Sequence, residues 1–196
     1  MNVAFVAQPL DGVLPPRQNS LGLIVYNTAL AMADAVGTVV FASGTGGDGQ
    51  PGAAAVDVRF VRSRFDAVVE RLVRDHPRWA ERCRMDVLAD ASLGYTWAVA
   101  NQLRRTPCDV VHVMNYWTMC RTLRRAGGRA KIVLEMQSEW LSQMDRSKVS
   151  RQLAAVDCVL AVSDHVASLF RATFPGFEGL VATAYNGVDV DAFRPG

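Results

Sequence analysis

Residues 157–163, DCVLAVS, form a short apolar run rich in β-branched side chains, with no polar face. Such a run makes a good strand only where both of its faces are covered, as in a parallel sheet flanked by helices. The residues that follow supply the crossover. Ser163 and Asp164 offer side-chain oxygens to cap a helix running through Phe174, Pro175 and Gly176 stop it, and 180–185 reads as a second strand. Asn186 and Gly187 then turn the chain into the polar exit VDVDAFRPG. A βαβ unit of this kind requires further parallel strands beside it.

The rest of the chain supplies them. Residues 1–7, MNVAFVA, read as a central first strand, followed by a long loop over 8–20 that is full of helix breakers. Asn19 or Ser20 caps a helix over 21–36 that is apolar on most sides and is expected to be buried at the sheet or at a domain interface. Strands are expected over 38–43, 56–61, 108–114 and 131–137, with a helix opening at 138–141. Phe65, Val68, Val69, Leu72, Val73 and His76 share one helical face, with Arg64, Arg71 and Arg74 off it. That pattern fits a core-facing helix, or alternatively one resting on an anionic membrane. Pro77 breaks the helix, and another is expected over 85–105. The fold class is therefore α/β, a Rossmann-like parallel β-sheet with helices on both faces.

Composition removes several classes. With 196 residues, half of them hydrophobic, the chain can bury the core of one large domain. Its 21 basic and 19 acidic residues nearly cancel, and no basic cluster interleaved with aromatics argues for nucleic acid. Residues 1–10 lack the charge and length of a signal peptide, and no apolar stretch approaches the ~18 to 20 residues of a membrane span. Cys83, Cys108, Cys120 and Cys158 are scattered without C-x-x-C spacing, which reads as reduced, mostly buried thiols in a cytoplasmic protein. The glycine-rich GTGGDGQPG at 44–52 lacks the Lys-Ser/Thr of a phosphate loop and precedes a strand, so a surface connection is expected.

The Asp-led strands DVVH at 109–112 and DCVLAVS at 157–163, the segment Gln137 to Trp140, and Asn186-Gly-Val-Asp189 with Phe193 and Pro195 together resemble one family. It is the N-terminal domain of retaining glycosyltransferases of family 4, the GT-B fold. The resemblance implies that 1–196 is a single GT-B N-terminal acceptor-binding domain ending at the hinge, with the donor-binding C-terminal domain absent. It implies sugar transfer from a nucleotide sugar to an acceptor with retention, and a fragment inactive alone. No cofactor belongs to this domain, the nucleotide sugar is a co-substrate, and no metal is expected. The implied partners are a small-molecule or lipid-linked acceptor and the missing C-terminal domain, without nucleic acid. Location is expected to be cytoplasmic, with peripheral membrane contact. Where the family has a Gly-Gly pair, this chain reads Asn19-Ser20-Leu21-Gly22, so only Gly22 remains for close backbone approach; helix packing explains it equally. Where the family strand ends in a histidine that contacts the donor sugar, this chain has Gln137, which can position a substrate but not carry a proton.

Further candidates collect at strand ends. Asn115, Tyr116 and Trp117 follow the strand over 108–114, where an amide beside two aromatic faces suits a sugar; capping and packing explain them as well. Glu139 fits the first turn of a helix, and alternatively binds acceptor hydroxyls or an amine. Ser163 and Asn186 complete the set, while His112, within a strand, is read as a hydrogen-bonded core residue. In a parallel sheet the loops over 8–22, 114–118, 137–140 and 163–165 open on one rim. No G-x-S-x-G, H-E-x-x-H or G-x-G-x-x-G motif is present. The alternatives are a stand-alone α/β module that binds a small molecule or sugar without catalysis and, more weakly, an enzyme of the epimerase type.

Overall fold

Seven strands, β1 (Asn2–Val6), β2 (Gly37–Ser43), β3 (Asp57–Val61), β4 (Val110–Met114), β5 (Lys131–Met136), β6 (Cys158–Ala161) and β7 (Val181–Thr183), pair in parallel in the order β3-β2-β1-β4-β5-β6-β7. The computed structural model describes residues 1–9, 11–44, 56–61, 63–82, 92–188 and 190. The chain winds outward from β1 to β3 and then returns to place β4 on the other side of β1. That reversal makes the β1/β4 boundary the switch point where a doubly wound sheet opens a crevice. The helices are α1 (Ser20–Met32), α2 (Arg64–Asp75), α3 (Pro77–Arg82), α4 (Leu93–Leu103), α5 (Cys120–Ala126), α6 (Arg146–Leu153) and α7 (Asp164–Thr173).

Strand periodicity divides the core in two. Val3, Phe5 and Ala7 pack with Val25 and Ala29 of α1 on one face, while Ala4 and Val6 join Tyr95, Val99 and Leu103 of α4 on the other. This second core continues beneath α5, α6 and α7 through Leu123, Leu153 and Phe170. Each such fully buried Val, Leu or Phe contributes about 1.5–3 kcal/mol relative to exposure. Over β4 to β6 the α1 face is thinner, for Val110, His112, Val133, Glu135, Cys158 and Leu160 are only half-buried.

The Asp-led motif has a structural cause. Asp109 donates its backbone N–H to Asn2 O at 2.8 Å, while its carboxylate accepts the Asn2 N–H at 2.7 Å. Asp157 repeats the arrangement, donating its N–H to Ile132 O at 2.9 Å and accepting the Ile132 N–H at 2.8 Å. Each aspartate closes the first rung of a ladder where no strand residue supplies the acceptor.

Several elements differ from the sequence expectation. The helix expected over 21–36 stops at Met32, because Ala35 and Val36 donate back to Met32 O and Gly37 joins the sheet through Met1 O. It is not buried on most sides: Gly22, Val25 and Ala29 are buried, whereas Leu23 and Leu30 are exposed, since α1 covers only part of its face. On α2, Val69 is buried, but Phe65 and Val68 face solvent. The helix expected from Ser138 is a short 3-10 turn, Glu139–Gln143, and Asp145 caps the separate helix α6. No turn forms at Asn186 and Gly187. Of the described cysteines, Cys120 is buried, while Cys108 and Cys158 are half-buried; all three are free thiols. Residues 45–52, Cys83, the part of the 85–105 helix before residue 92, Asp189, Phe193 and Pro195 lie outside the described residues.

Candidate functional site

Every loop singled out from the sequence follows the carboxyl end of a parallel strand, so the candidates share one rim. Within that rim they form separate groups.

On the β1 side, Asn19 caps α1, its side-chain oxygen accepting the Gly22 N–H at 2.8 Å. Its Nδ2 donates to Asp11 Oδ1 at 2.6 Å. Ser20 is the exposed first residue of the helix. The close approach that Gly22 permits is internal: a Cβ there would lie 1.9 Å from the Gly12 carbonyl oxygen. Asp11 was not visible as a site residue in the sequence, yet it is 6 % exposed and its Oδ2 has no partner among the described residues. Burial pushes its pKa up, only partly offset by the Asn19 amide and the Gln8 backbone.

Beyond β4, Asn115 is held at φ +52, a left-handed conformation asparagine tolerates. It is buried at 6 %, donates its N–H to Glu135 O at 2.7 Å and accepts the Gln137 N–H on its side chain at 2.7 Å. Asn115 therefore pins the ends of β4 and β5 together. Tyr116 donates its hydroxyl to Ser92 Oγ at 3.2 Å. Trp117 is buried at 8 % in the larger core, so its ring serves packing, and its Nε1 has no partner among the described residues.

Gln137 sits at the centre of the most connected group. Its Nε2 donates to Glu135 Oε1 and, at 3.0 Å, to Asn186 Oδ1, while its Oε1 accepts from Asn186 Nδ2 at 2.8 Å. Glu135 Oε2 pairs with His112 Nε2 at 2.6 Å, and the His112 ring stacks on Phe5 at 5.1 Å. Sequence reasoning placed His112 among hydrogen-bonded core residues but missed Glu135. The signal was available, because residues two apart on a strand share a face and Glu135 must lie beside Gln137.

At the β6 and β7 end, Ser163 Oγ caps α7 by accepting the Val166 N–H at 3.3 Å. Glu139 Oε2 lies 3.6 Å from His165 Nε2 and its Oε1 accepts from Gln143 at 3.0 Å. Asp164 accepts from Thr183 Oγ1 at 2.6 Å and from the Tyr185 hydroxyl at 2.8 Å, contacts that hold its carboxyl below the usual range. Among the described residues no group of three His, Cys, Asp or Glu side chains is placed to hold a metal ion, and no helix is long and apolar enough to cross a membrane.

A doubly wound parallel sheet with polar side chains gathered on its carboxyl rim is the architecture of a Rossmann-like wall that binds ligands at the strand ends. Known proteins of this kind give the family. The sequence profile of Glycosyltransferase Family 4 matches residues 22–192, and the chain belongs to that family. YtcC of Bacillus subtilis (strain 168), provisionally named a glycosyltransferase, is 29% identical over 103 residues, 52% of this chain and 25% of YtcC. Two solved structures share the fold: HepE of Anabaena in complex with UDP, with a TM-score of 0.61, 14% identity and coverage of 97% of this chain and 45% of HepE, and sucrose-phosphate synthase of Thermosynechococcus elongatus, with a TM-score of 0.64, 13% identity and coverage of 99% and 50%. This chain thus spans about half the length of the solved structures, and its match spans a quarter of YtcC. It has the α/β fold of the GT-B glycosyltransferases.

Proposed function

We propose that this chain is the N-terminal, acceptor-side wall of a retaining glycosyltransferase that moves a sugar from a nucleotide-activated donor to a small-molecule or lipid-linked acceptor. The observation that carries the reading is the pairing of Gln137, at the end of β5, with Asn186, in the segment leaving β7. It joins the candidate position on the rim to the stretch that resembles the family's hinge. A second, donor-binding domain beyond that segment completes the crevice and meets the nucleotide, a division supported by the half-length coverage of the solved structures. The nucleotide sugar is then a co-substrate of the pair of domains, and no metal is assigned to the step. HepE holding UDP supports a nucleoside diphosphate as leaving group.

In this reading Gln137 orients a sugar, and fixed dipoles and charges stabilise the departing phosphate. Asn19, Tyr116 and Glu139 border the acceptor. Exposed Phe65 and Val68 beside Arg64 support contact with an anionic membrane through α2. Co-sedimentation with phosphatidylglycerol vesicles, lost in Phe65→Ser, checks that contact.

The test of function is a donor panel of UDP-, GDP-, ADP- and dTDP-glucose, given to the gene product that carries this chain and a second domain. Release of nucleoside diphosphate, with the anomeric configuration kept by NMR, is expected. No release from any donor, or inversion, overturns the reading.

A further inference from the structure

The hydrogen bonds around Gln137 have a direction, and one residue sets it. A carboxylate accepts but does not donate, so the group of Gln137 that faces Glu135 Oε1 must be the amide nitrogen. With Nε2 turned to Glu135, its second proton meets Asn186 Oδ1 at 3.0 Å and Asn186 Nδ2 returns a bond to Gln137 Oε1 at 2.8 Å. Both Gln137 amide protons are thereby used within the chain. What remains is one lone pair on Oε1, an acceptor.

Glu135 is itself held. Its other oxygen takes His112 Nε2 at 2.6 Å, which makes that nitrogen the protonated one, and the imidazole is backed by the Phe5 ring. The two side chains are 12% and 13% exposed, so neither is free to swing into solvent.

From this we infer that Glu135 and His112 are positioning residues which fix the Gln137 carboxamide with its oxygen toward the crevice, so that the position selects a hydrogen-bond donor, a sugar hydroxyl. The inference rests on the transferase reading for the identity of the ligand, but not for the orientation. A substrate group that only accepts is met by a lone pair and rejected. Asn186 completes the arrangement by occupying the second amide proton, which ties the orientation to the segment after β7.

The test has two arms. In the first, side-chain amide NMR of the 196-residue chain follows the Gln137 Nε2 protons in the parent and in Glu135→Gln, whose new amide can face Gln137 either way. Slow exchange with water in the parent, and a shift with faster exchange in Glu135→Gln against an unchanged backbone spectrum, is expected. If Glu135→Gln does not fold, His112→Phe is measured instead, with the same expectation. In the second arm, the panel donor that is turned over is compared with its 2-, 3-, 4- and 6-deoxyfluoro forms, since fluorine cannot donate. One position should lower kcat/KM about tenfold in the parent, the loss of a single hydrogen bond, and by no more than about twofold in Glu135→Gln. A Gln137 amide indifferent to Glu135→Gln, or a fluorine penalty unchanged by it, overturns the proposal. A responsive amide with no turnover of any donor upholds the orientation and counts against the transferase reading instead.

Discussion

The carboxylate of Asp157 accepts the backbone N–H of Ile132 at 2.8 Å, so the residue that opens β6 also supplies the missing acceptor at the start of β5. Lys131 Nζ at 3.0 Å and the Arg124 guanidinium converge on the same side chain, which is 27% exposed. Burial pushes the Asp157 pKa up, but the Ile132 N–H, Arg124 and Lys131 together outweigh it and hold the carboxyl below its usual 3.8. A folded-state pKa below the unfolded one contributes stability above about pH 4, lost as pH falls through the folded value. Asp157→Ala is expected to lower the unfolding free energy by about 1.5–3 kcal/mol at pH 7, with the deficit closing below pH 4 in urea titrations.

The buried Tyr95 hydroxyl lies 3.0 Å from both the Ala7 and the Phe41 carbonyl oxygens, joining α4 to the carboxyl ends of β1 and β2. Burial, with Asp11 nearby, raises its pKa far beyond the ordinary phenol. Tyr95→Phe should cost about 1–3 kcal/mol. Each of those lowers the thermal midpoint by about 2–4 °C in a domain of this size, readable by calorimetry.

Gly22 provides a test of sign. Replacing a helix-interior glycine by alanine ordinarily stabilises by about 1 kcal/mol. Here the new methyl would meet the Gly12 carbonyl oxygen at 1.9 Å, so Gly22→Ala should destabilise by about 1–3 kcal/mol as the loop over 11–19 is displaced. A gain in the midpoint of chemical unfolding would show that this contact relaxes at no cost.

For Asp11 the sign runs opposite to that of Asp157. Its folded pKa is raised by burial, so its contribution is complete below the usual 3.8 and is lost as pH rises through the folded value. Asp11→Asn keeps an acceptor for Asn19 Nδ2 and removes the charge. At pH 7 this variant should be as stable as the parent or more so, whereas a clear loss in urea unfolding would mean that the carboxylate is stabilised by its surroundings.

Most strands were legible because they are apolar runs between breakers, although β3 carries Asp57 and Arg59, and the Asp-led motifs marked where two of them begin. Helix α1 is covered by this chain on one side only, and apolar side chains all round do not say how much sheet lies beneath them. Its neighbours cover Val25 and Ala29 but leave Leu23 and Leu30 in solvent. Glu139 opened a 3-10 turn because the chain must reach the Asp145 cap of α6 within a few residues. The turn expected at Asn186 is absent, and the Asn186 amide is engaged with Gln137, 49 residues earlier, a contact that local propensity does not encode. Strand parity could have brought Glu135 beside Gln137, but nothing local marks Asp11.

The most direct measurement is a calorimetric titration of this 196-residue chain with UDP-glucose and the other panel donors, beside a longer polypeptide in which it is followed by the proposed donor-binding domain. Micromolar binding of one donor by the longer polypeptide and no saturable heat from the chain alone, up to about millimolar donor, is the expected pair of results. Micromolar donor binding by the chain alone would contradict its assignment as the acceptor-side wall.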